Sequence, residues 1–285
     1  MQNTIRTAAK VSGIALHTGV RTNLKILPAP PDSGIIFRRT DMPGAPEVKA
    51  NACNVIDVRR ATTIASRTSG AFVVTVEHIM APLHASGIDN AYVEMDGPEP
   101  PVADGSASPY FEAIQNAGIE PQPEAPDNCW TASAPIVLEE GETRMVLTPA
   151  DDLVITAIVQ YNASPLDAQF FSCAVTTENF RKELSTARTF CIYRELEQLI
   201  AAGLVKGGSL DNAIVMHGGA IISKDGMRFP NELVRHKMMD MVGDLYLTGK
   251  RVKAHIIAVK PGHLTNVKLA QLMLAQQRQK AESAS

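Results

Sequence analysis

RFPNELVRHKMMDMVGD, residues 228–244, is the stretch on which the interpretation of this chain depends. It predicts a single helix, because proline and asparagine suit its first turn and no breaker follows before Gly243. His236 and Asp240 are one turn apart on the same face, and Asp244 extends that polar stripe by a further turn. An imidazole and a carboxylate in this arrangement can share one metal ion, although a solvated polar face explains so short a pattern equally well.

A second segment places another histidine beside a carboxylate. The sequence TVEH (75–78) ends an apolar, β-branched run and opens a helical stretch. At such a junction His78 can be a third metal ligand, and Glu77 stays close enough to act as a base toward water. A catalytic zinc site needs three protein ligands and one open position, and His78, His236 and Asp240 could together provide the three ligands. The thermolysin-type pattern His-Glu-x-x-His is absent.

The composition is that of a globular protein whose main partner is not a nucleic acid. The chain has 285 residues, 45% of them hydrophobic, and a net charge of -3 without a long Lys/Arg tract. A local basic patch can meet phosphate or, as surface arginines more often do, form salt bridges; it comprises Arg38, Arg39, Arg59 and Arg60.

The cysteines and the hydropathy pattern bear on the compartment. Four scattered cysteines without C-x-x-C spacing indicate free thiols in a reducing compartment. No signal peptide is evident, and no apolar run approaches the length of about 18–20 residues that a membrane span needs. We therefore expect a cytoplasmic protein without stable membrane insertion. We also expect a monomer, although no sequence pattern determines the oligomeric state.

Strand and helix patterns alternate on both sides of a polar segment. The predicted strands are 22–27, 34–37, 91–95, 134–138, 143–147, 153–159, 213–216 and 254–259, and the predicted helices are 109–117, 196–202 and 267–280. The segment between the halves carries three prolines and no apolar periodicity. It predicts domains at 1–120 and 129–285, joined by a linker at 121–128.

Short segments spread along the chain match one enzyme family in order. They are SGIALHTG (12–19), FRRTD (37–41), TVEH (75–78), GIDN (87–90), DGSA (104–107), ARTF (187–190), GGSLDNA (207–213), RHKMMD (235–240) and KPGH (260–263). With these segments the chain resembles the zinc deacetylases of lipid A synthesis, which act on UDP-3-O-acyl-N-acetylglucosamine. The resemblance covers roughly residues 3–275.

The resemblance implies a fold that the patterns alone do not give. It is an α+β fold of two similar two-layer α/β sandwich domains with small insertions, and the active site lies between the domains. One insertion is expected around 191–208. We suspect that its apolar side chains form a passage for an acyl chain, although an ordinary amphipathic helix explains them equally well. No close sequence repeat relates the halves.

The resemblance also implies roles in the chemistry. Glu77 takes the proton of the attacking water, and His263 donates a proton to the leaving amine. Asp244 orients His263 and holds it cationic, and Thr189 donates a hydrogen bond to the oxyanion. Lys237 is a candidate contact of the polarised carbonyl or of the diphosphate.

Three further residues are candidates for substrate binding. Lys260 can contact the diphosphate or the polarised carbonyl. Phe190 can stack on the uracil or the sugar or else pack in the core, and His17 can line the site. The expected cofactor is Zn2+, but two histidines and one aspartate would also hold Fe2+. The expected substrate is the UDP-linked acylated N-acetylglucosamine.

Two other functions compete with this one. A zinc amidohydrolase of the same architecture can act on another N-acetyl sugar, and only substrate profiling separates the two. If the chain were a non-enzymatic binding protein that keeps the fold, at least one metal ligand, the base or the acid would be missing, yet all are present.

Two prolines depart from the family pattern. Pro82 can bend the helix that follows His78, and Pro261 bears on the position of His263.

Overall fold

The computed structural model describes residues 1–161 and 168–284. The first unit, residues 1–122, contains β1 (Gln2–Ile5), β2 (Ala9–Ile14), β3 (Arg21–Pro28), β4 (Ile35–Arg39), β5 (Glu47–Lys49), β6 (Val55–Asp57), β7 (Thr63–Ala65), β8 (Phe72–Val73), α1 (Glu77–Ala85), β9 (Ala91–Met95), α2 (Ser108–Ala117) and β10 (Ile119–Gln122). A 3-10 turn, Ala52–Asn54, precedes β6.

The second unit begins at residue 129. It contains β11 (Cys129–Thr131), β12 (Ile136–Glu140), β13 (Thr143–Pro149), β14 (Leu153–Gln160), β15 (Ala168–Ala174), α3 (Thr177–Asn179), β16 (Phe190–Ile192), α4 (Tyr193–Ala201), β17 (Ile214–His217), β18 (Ala220–Ile222), α5 (Glu232–Leu245), β19 (Arg251–Val259) and α6 (His263–Ala284). A π-helical turn, Phe180–Leu184, follows α3, and a 3-10 turn, Tyr246–Thr248, follows α5.

The main sheets of the two units have the same strand order. The first is β2-β3-β9-β4-β5 and the second is β12-β13-β19-β14-β15, with β11 added beside the start of β19. Within the shared order only one pair of each sheet is parallel, β4 with β9 and β14 with β19. This arrangement confirms the predicted α+β fold, and every predicted strand and helix is present with its ends shifted by at most four residues.

Each main sheet buries one face against helices. Burial alternates along β9 and along β14, as it does in a strand with one face on the core and one toward solvent. The two cores share helices: Ala81 of α1 packs in the second core, and Val267 of α6 packs in the first. The units are therefore joined through their helices.

The helices α1 and α5 pack directly against each other, and a glycine permits their closest approach. A Cβ atom at Gly243 would lie 2.9 Å from both Cα and C of Glu77, and closer still to its carbonyl oxygen. Real Cβ atoms do not approach that closely. A glycine in the last turn of α5 therefore lets this helix lie against the first turn of α1, next to the predicted base.

Two boundaries differ from the sequence predictions. Pro121 and Gln122, which the sequence assigned to the linker, belong to β10 and pair with β1. Buried hydrogen bonds of the Gln122 amide to Asn90 and to the carbonyl of Ala29 hold this strand in place. The helix predicted within residues 228–244 begins at Glu232, because Asn231 has a φ of -119° and a ψ of 42°, outside the helical region.

Candidate active site

The first unit presents its site residues after a left-handed turn. Thr75 has a φ of 57°, which is uncommon for a β-branched residue, and its hydroxyl donates to Glu99 at 2.9 Å. The helix α1 then starts with Glu77 and His78, both of them buried. Backbone N–H groups at a helix N-terminus favour negative charge, as at Glu77. Pro82 leaves the carbonyl of His78 without its helical donor, yet α1 continues to Ala85.

His78, His236 and Asp240 converge on one buried point. A potential ligand atom of each lies within 4.8 Å of those of the other two. Oδ1 of Asp240 is 3.4 Å from Nε2 of His236 and 3.8 Å from Nε2 of His78. This Oδ1 is buried and accepts no hydrogen bond from any described residue. An unpaired buried carboxylate oxygen is unfavourable unless a cation lies beside it, so the three residues fit a metal ion.

Hydrogen bonds behind these residues fix their orientation. Nδ1 of His236 lies 3.0 Å from the carbonyl oxygen of Ala187, which suits an Nδ1–H donor and leaves Nε2 facing Asp240. Lys237 donates to Oδ2 of Asp240 at 2.8 Å. Oδ1 of Asp240 therefore remains as the free ligand atom.

The charge states suit metal binding, which requires neutral imidazoles and an ionised carboxylate. Burial lowers the pKa of His78 to about 3, and burial also lowers the pKa of His236. Burial alone would raise the pKa of Asp240, but His236 and Lys237 outweigh it and bring this pKa below its usual range.

A second cluster of Glu77, Asp244 and His263 lies beside the first. Nδ1 of His263 is 2.9 Å from Oδ2 of Asp244, and its Nε2 is 3.8 Å from Oε1 of Glu77. Burial alone would lower the pKa of His263, but the two carboxylates outweigh it and raise this pKa to about 9. Burial raises the pKa of Glu77 to about 8. The cluster therefore combines a protonated imidazole with a carboxyl group that can exchange a proton near neutral pH.

One cavity of about 270 Å³ brings together most of the predicted site residues. It is lined by Glu77, His78, His236, Asp240, His263, Thr189, Lys237, Phe190 and His17. Asp244 lies behind His263 and reaches the cavity only through that hydrogen bond.

Lys260 is the predicted substrate-binding residue that does not line this cavity. Its ammonium lies 3.2 Å from Oε2 of Glu142, and its carbonyl oxygen accepts a hydrogen bond from Thr143. The ion pair draws the side chain, which is 22% exposed, to the β12–β13 turn, although His263 is only three residues further along the chain.

Phe190 and His17 form part of the cavity wall. The Phe190 ring centroid lies 6.1 Å from that of His236 and 5.3 Å from that of Tyr161, and Nζ of Lys237 is 5.5 Å from the Phe190 ring centroid. His17 is buried, and neither of its ring nitrogens has a hydrogen-bond partner among the described residues. Both side chains therefore present a surface to a molecule in the cavity.

A second, more apolar cavity of about 320 Å³ adjoins the first. The two share the side chains of His17, Thr189 and Phe190. The second continues along α4, where it is lined by Leu196, Leu199, Ile200, Val205 and Leu210. The predicted insertion around 191–208 thus borders an apolar space that opens beside the metal-binding residues.

Sequence reasoning missed several residues at the site. Arg60, placed only in a surface patch, lines both cavities with a φ of 69° and forms a 2.8 Å ion pair with Glu195 of α4. Thr62 contacts Glu77, Asp244 and His263. No sequence pattern marks Thr62, because its partners are distant in the chain.

Comparison with known proteins identifies the family of this chain. A family model described as UDP-3-O-acyl N-acetylglycosamine deacetylase matches residues 2–275. This chain belongs to that family. The match confirms the family predicted from the short sequence segments, and it covers both units and every residue that lines the two cavities.

Relatives named UDP-3-O-acyl-N-acetylglucosamine deacetylase are similar over nearly the whole chain. That of Myxococcus xanthus (strain DK1622) is 41% identical over 274 residues, which cover 96% of this chain and 86% of the relative. That of Syntrophotalea carbinolica is 42% identical, with coverages of 96% and 88%. That of Acidithiobacillus ferrooxidans is 38% identical, with coverages of 97% and 90%. Within the described part of this deacetylase-family chain, no helix combines the length and apolar character needed to cross a membrane.

Proposed function

We propose that this chain hydrolyses the N-acetyl group of UDP-3-O-acyl-N-acetylglucosamine, releasing acetate and the free 2-amine, in lipid A biosynthesis. One observation carries the proposal: in a chain of this family, His78, His236 and Asp240 meet at an unpaired carboxylate oxygen directly beside Glu77 and His263. An amide hydrolase needs a base for the water and an acid for the amine, and both lie within reach of the proposed metal ligands.

His78, His236 and Asp240 would hold the metal, which we assign as Zn2+, with Fe2+ as the alternative that the same residues accept. When bound, the ion would lower the pKa of a water molecule and polarise the acetamide carbonyl. The protein contributes two neutral imidazoles and one carboxylate, so the bound divalent ion would retain a net charge of about +1.

Glu77 removes a proton from the attacking water. Its Oε2 accepts a hydrogen bond from the backbone N–H of Thr62, which leaves Oε1 to act on the water. Burial raises the pKa of this carboxyl group, so its ionised form is a stronger base than an exposed carboxylate. As the carbonyl oxygen becomes negative, the Thr189 hydroxyl in the same cavity donates to it, and the charge of Lys237 favours that state.

His263 protonates the leaving amine. Asp244 binds Nδ1, so Nε2 carries the proton that faces Glu77 and the proposed metal ligands. Because the pKa of His263 is raised to about 9, the imidazole is protonated at neutral pH before the reaction starts. A leaving amine that takes this proton departs as a neutral group rather than as an unstable anion.

The two cavities suggest how the substrate is divided. The polar cavity takes the acetamide and the sugar, with His17 and Phe190 in its wall as contacts. The apolar cavity along α4 takes the acyl chain, because burying an alkyl chain stabilises binding by about 0.8 kcal/mol per CH₂ group. We propose no substrate contact for Lys260, whose ammonium is paired with Glu142.

Metal content and turnover, measured together, test the proposal. Three proteins are compared: the wild type, His236→Ala and the control His217→Ala, which changes an exposed histidine of β17. Each is purified without chelators and titrated with Zn2+ and Fe2+. Each is assayed on UDP-3-O-acyl-N-acetylglucosamine and on an N-acetylated nucleotide sugar without the acyl chain. We expect one metal ion and turnover of the acylated substrate in the wild type and the control, and the loss of both in His236→Ala.

Other results would redirect the proposal. Metal binding without turnover of the acylated substrate would keep the site but point to another N-acetyl sugar. No metal after purification, and none taken up on titration, would remove the catalytic function.

The compartment and the oligomeric state are separate proposals. Cys53, Cys129, Cys173 and Cys191 are free thiols, as is usual in a reducing compartment, so we place the reaction in the cytoplasm. The expectation of a monomer stays a prediction that light scattering would test.

A further inference from the structure

Thr62 is a buried residue that contacts both the proposed base and the carboxylate behind the proposed acid. It lies in the first unit, directly before β7, and it is 0% exposed. Its backbone N–H donates to Oε2 of Glu77 at 3.1 Å, and its hydroxyl donates to Oδ1 of Asp244 at 2.6 Å. The second hydrogen bond joins the two units, because Asp244 belongs to α5.

The hydroxyl of Thr62 completes the hydrogen bonding of a carboxylate that has no access to water. Asp244 is 0% exposed. Its Oδ2 accepts hydrogen bonds from Nδ1–H of His263 and from the side-chain amide of Asn266, each at 2.9 Å. Its Oδ1 accepts the hydrogen bond from Thr62. A buried carboxylate oxygen that loses its donor is destabilised, and the group can then rotate to find another.

The same hydroxyl oxygen also faces the imidazole that Asp244 orients. It lies 3.3 Å from Nδ1 of His263. Since the Thr62 hydrogen atom is donated to Asp244, its oxygen offers lone pairs toward Nδ1–H. This contact favours the same ring orientation as the hydrogen bond to Asp244, with Nε2 directed to the cavity.

We propose that Thr62 is a positioning residue that sets the spacing of the acid and the base across the unit boundary. Its backbone N–H holds Glu77, and its hydroxyl holds the Asp244–His263 pair. The inference rests on the proposed deacetylation and extends it to a residue that lines neither cavity. Because Thr62 lines neither cavity and its hydrogen bonds among the described residues include none to a proposed metal ligand, its hydroxyl acts on kcat and leaves KM and metal binding unchanged.

Three substitutions separate positioning from simple packing. Thr62→Val removes the hydroxyl but keeps the shape of the side chain and the backbone N–H to Glu77. Thr62→Ser restores the hydroxyl. Thr22→Val is the matched control, because Thr22 is also 0% exposed and its hydroxyl has no hydrogen-bond partner among the described residues. For each variant, kcat, KM, metal content and the melting temperature are measured on the full chain.

We expect Thr62→Val to lower kcat by about 10–100-fold, the range for residues that orient a catalytic group from behind, with KM within about twofold of the wild type. Thr62→Ser should recover most of this loss, and Thr22→Val should match the wild type. Wild-type kcat in Thr62→Val would overturn the inference, as would an equal loss in Thr62→Val and Thr62→Ser. A loss of metal or a fall in melting temperature well beyond that of Thr22→Val would show a structural role instead. If the wild type itself does not turn over the substrate, the proposed function fails, and the role of Thr62 fails with it.

Discussion

The two units contribute to the candidate site from different parts of their helices. In the first unit, α1 follows the small sheet β6-β7-β8 and contributes Glu77 and His78 from its first turn. In the second unit, α5 follows the small sheet β16-β17-β18 and contributes His236 and Asp240 from its middle. The next helices differ more. The helix α6 begins with His263, whereas α2 begins with Ser108 and lines neither cavity. Equivalent positions in the two units therefore carry different chemistry, although the main sheets have the same order and directions.

The small sheets of the two units also differ, in the direction of their strands. In the first unit all neighbouring strands of β6-β7-β8 are antiparallel. In the second, β16 and β17 are parallel, and the connection between them includes α4, whose leucines line the apolar cavity. A parallel pair requires a long crossover, and here that crossover supplies the space proposed for the acyl chain. The common scaffold brings α1 and α5 together, and the differences between the units make the site.

Removal of the base from the first unit should have the largest effect. Glu77→Gln keeps the shape of the side chain and the acceptor for the Thr62 N–H, but it cannot take a proton from water. We expect kcat to fall by about 10²–10⁴-fold, with metal content unchanged, because general base catalysis contributes that much. Steady-state kinetics and metal analysis of the purified variant check this.

The control for this variant is Glu142→Gln, which changes an exposed carboxylate paired with Lys260 and should leave kcat unchanged. If Glu77→Gln turned over at the wild-type rate with its metal bound, the base would have to lie elsewhere, and the contribution of the first unit would shrink to His78.

Local patterns place two pairs of the candidate site residues. His236 and Asp240 are one helical turn apart, and Glu77 is adjacent to His78, so the helix period alone places each pair. The ion pair of Arg60 with Glu195 joins residues from different units, and only the tertiary fold brings them together.

Two differences between the sequence predictions and the structure also have physical causes. Lys260 lies close in sequence to His263, but the direction of its side chain depends on Glu142 in a separate turn. The start of the linker was placed too early because the pairing of β10 depends on buried hydrogen bonds of Gln122. Sequence patterns report local geometry, whereas these contacts depend on the packed structure.

A smaller effect is expected where the two central helices touch. Gly243→Ala would place a methyl group against the backbone of Glu77, which cannot move without shifting the first turn of α1. We expect a loss of about 2–3 kcal/mol in unfolding free energy, as for other overpacked sites, even though alanine favours a helix over glycine by about 1 kcal/mol. Denaturant unfolding measures this.

The matched control is Gly262→Ala, because a Cβ atom there meets no atom within 4 Å. Its unfolding free energy should stay near that of the wild type. Equal stability of Gly243→Ala and the wild type would mean that α1 and α5 can separate without loss, and the close helix contact would not be what joins the units.

The smallest effect concerns His84, which joins α1 of the first unit to β19 of the second. Its Nε2 accepts the backbone N–H of Val252 at 3.2 Å, so protonation of the ring would break this contact. Burial lowers its pKa to about 4, against an ordinary value of 6.5. Above pH 6.5 neither the folded nor the unfolded state binds this proton. Between pH 6.5 and about 4 the unfolded state binds it and the folded state does not, so acid destabilises the fold.

This group should account for a loss of about 2 kcal/mol in unfolding free energy between pH 8 and pH 5. His84→Gln keeps an oxygen acceptor for Val252 but does not titrate, so its curve of unfolding free energy against pH should be flatter than that of the wild type by this amount. All other titrating groups are common to both chains, and their contributions cancel in the difference. Parallel curves would show that His84 is already free to bind a proton in the folded state, and the contact between α1 and β19 would then be too loose to help fix the position of the first unit against the second.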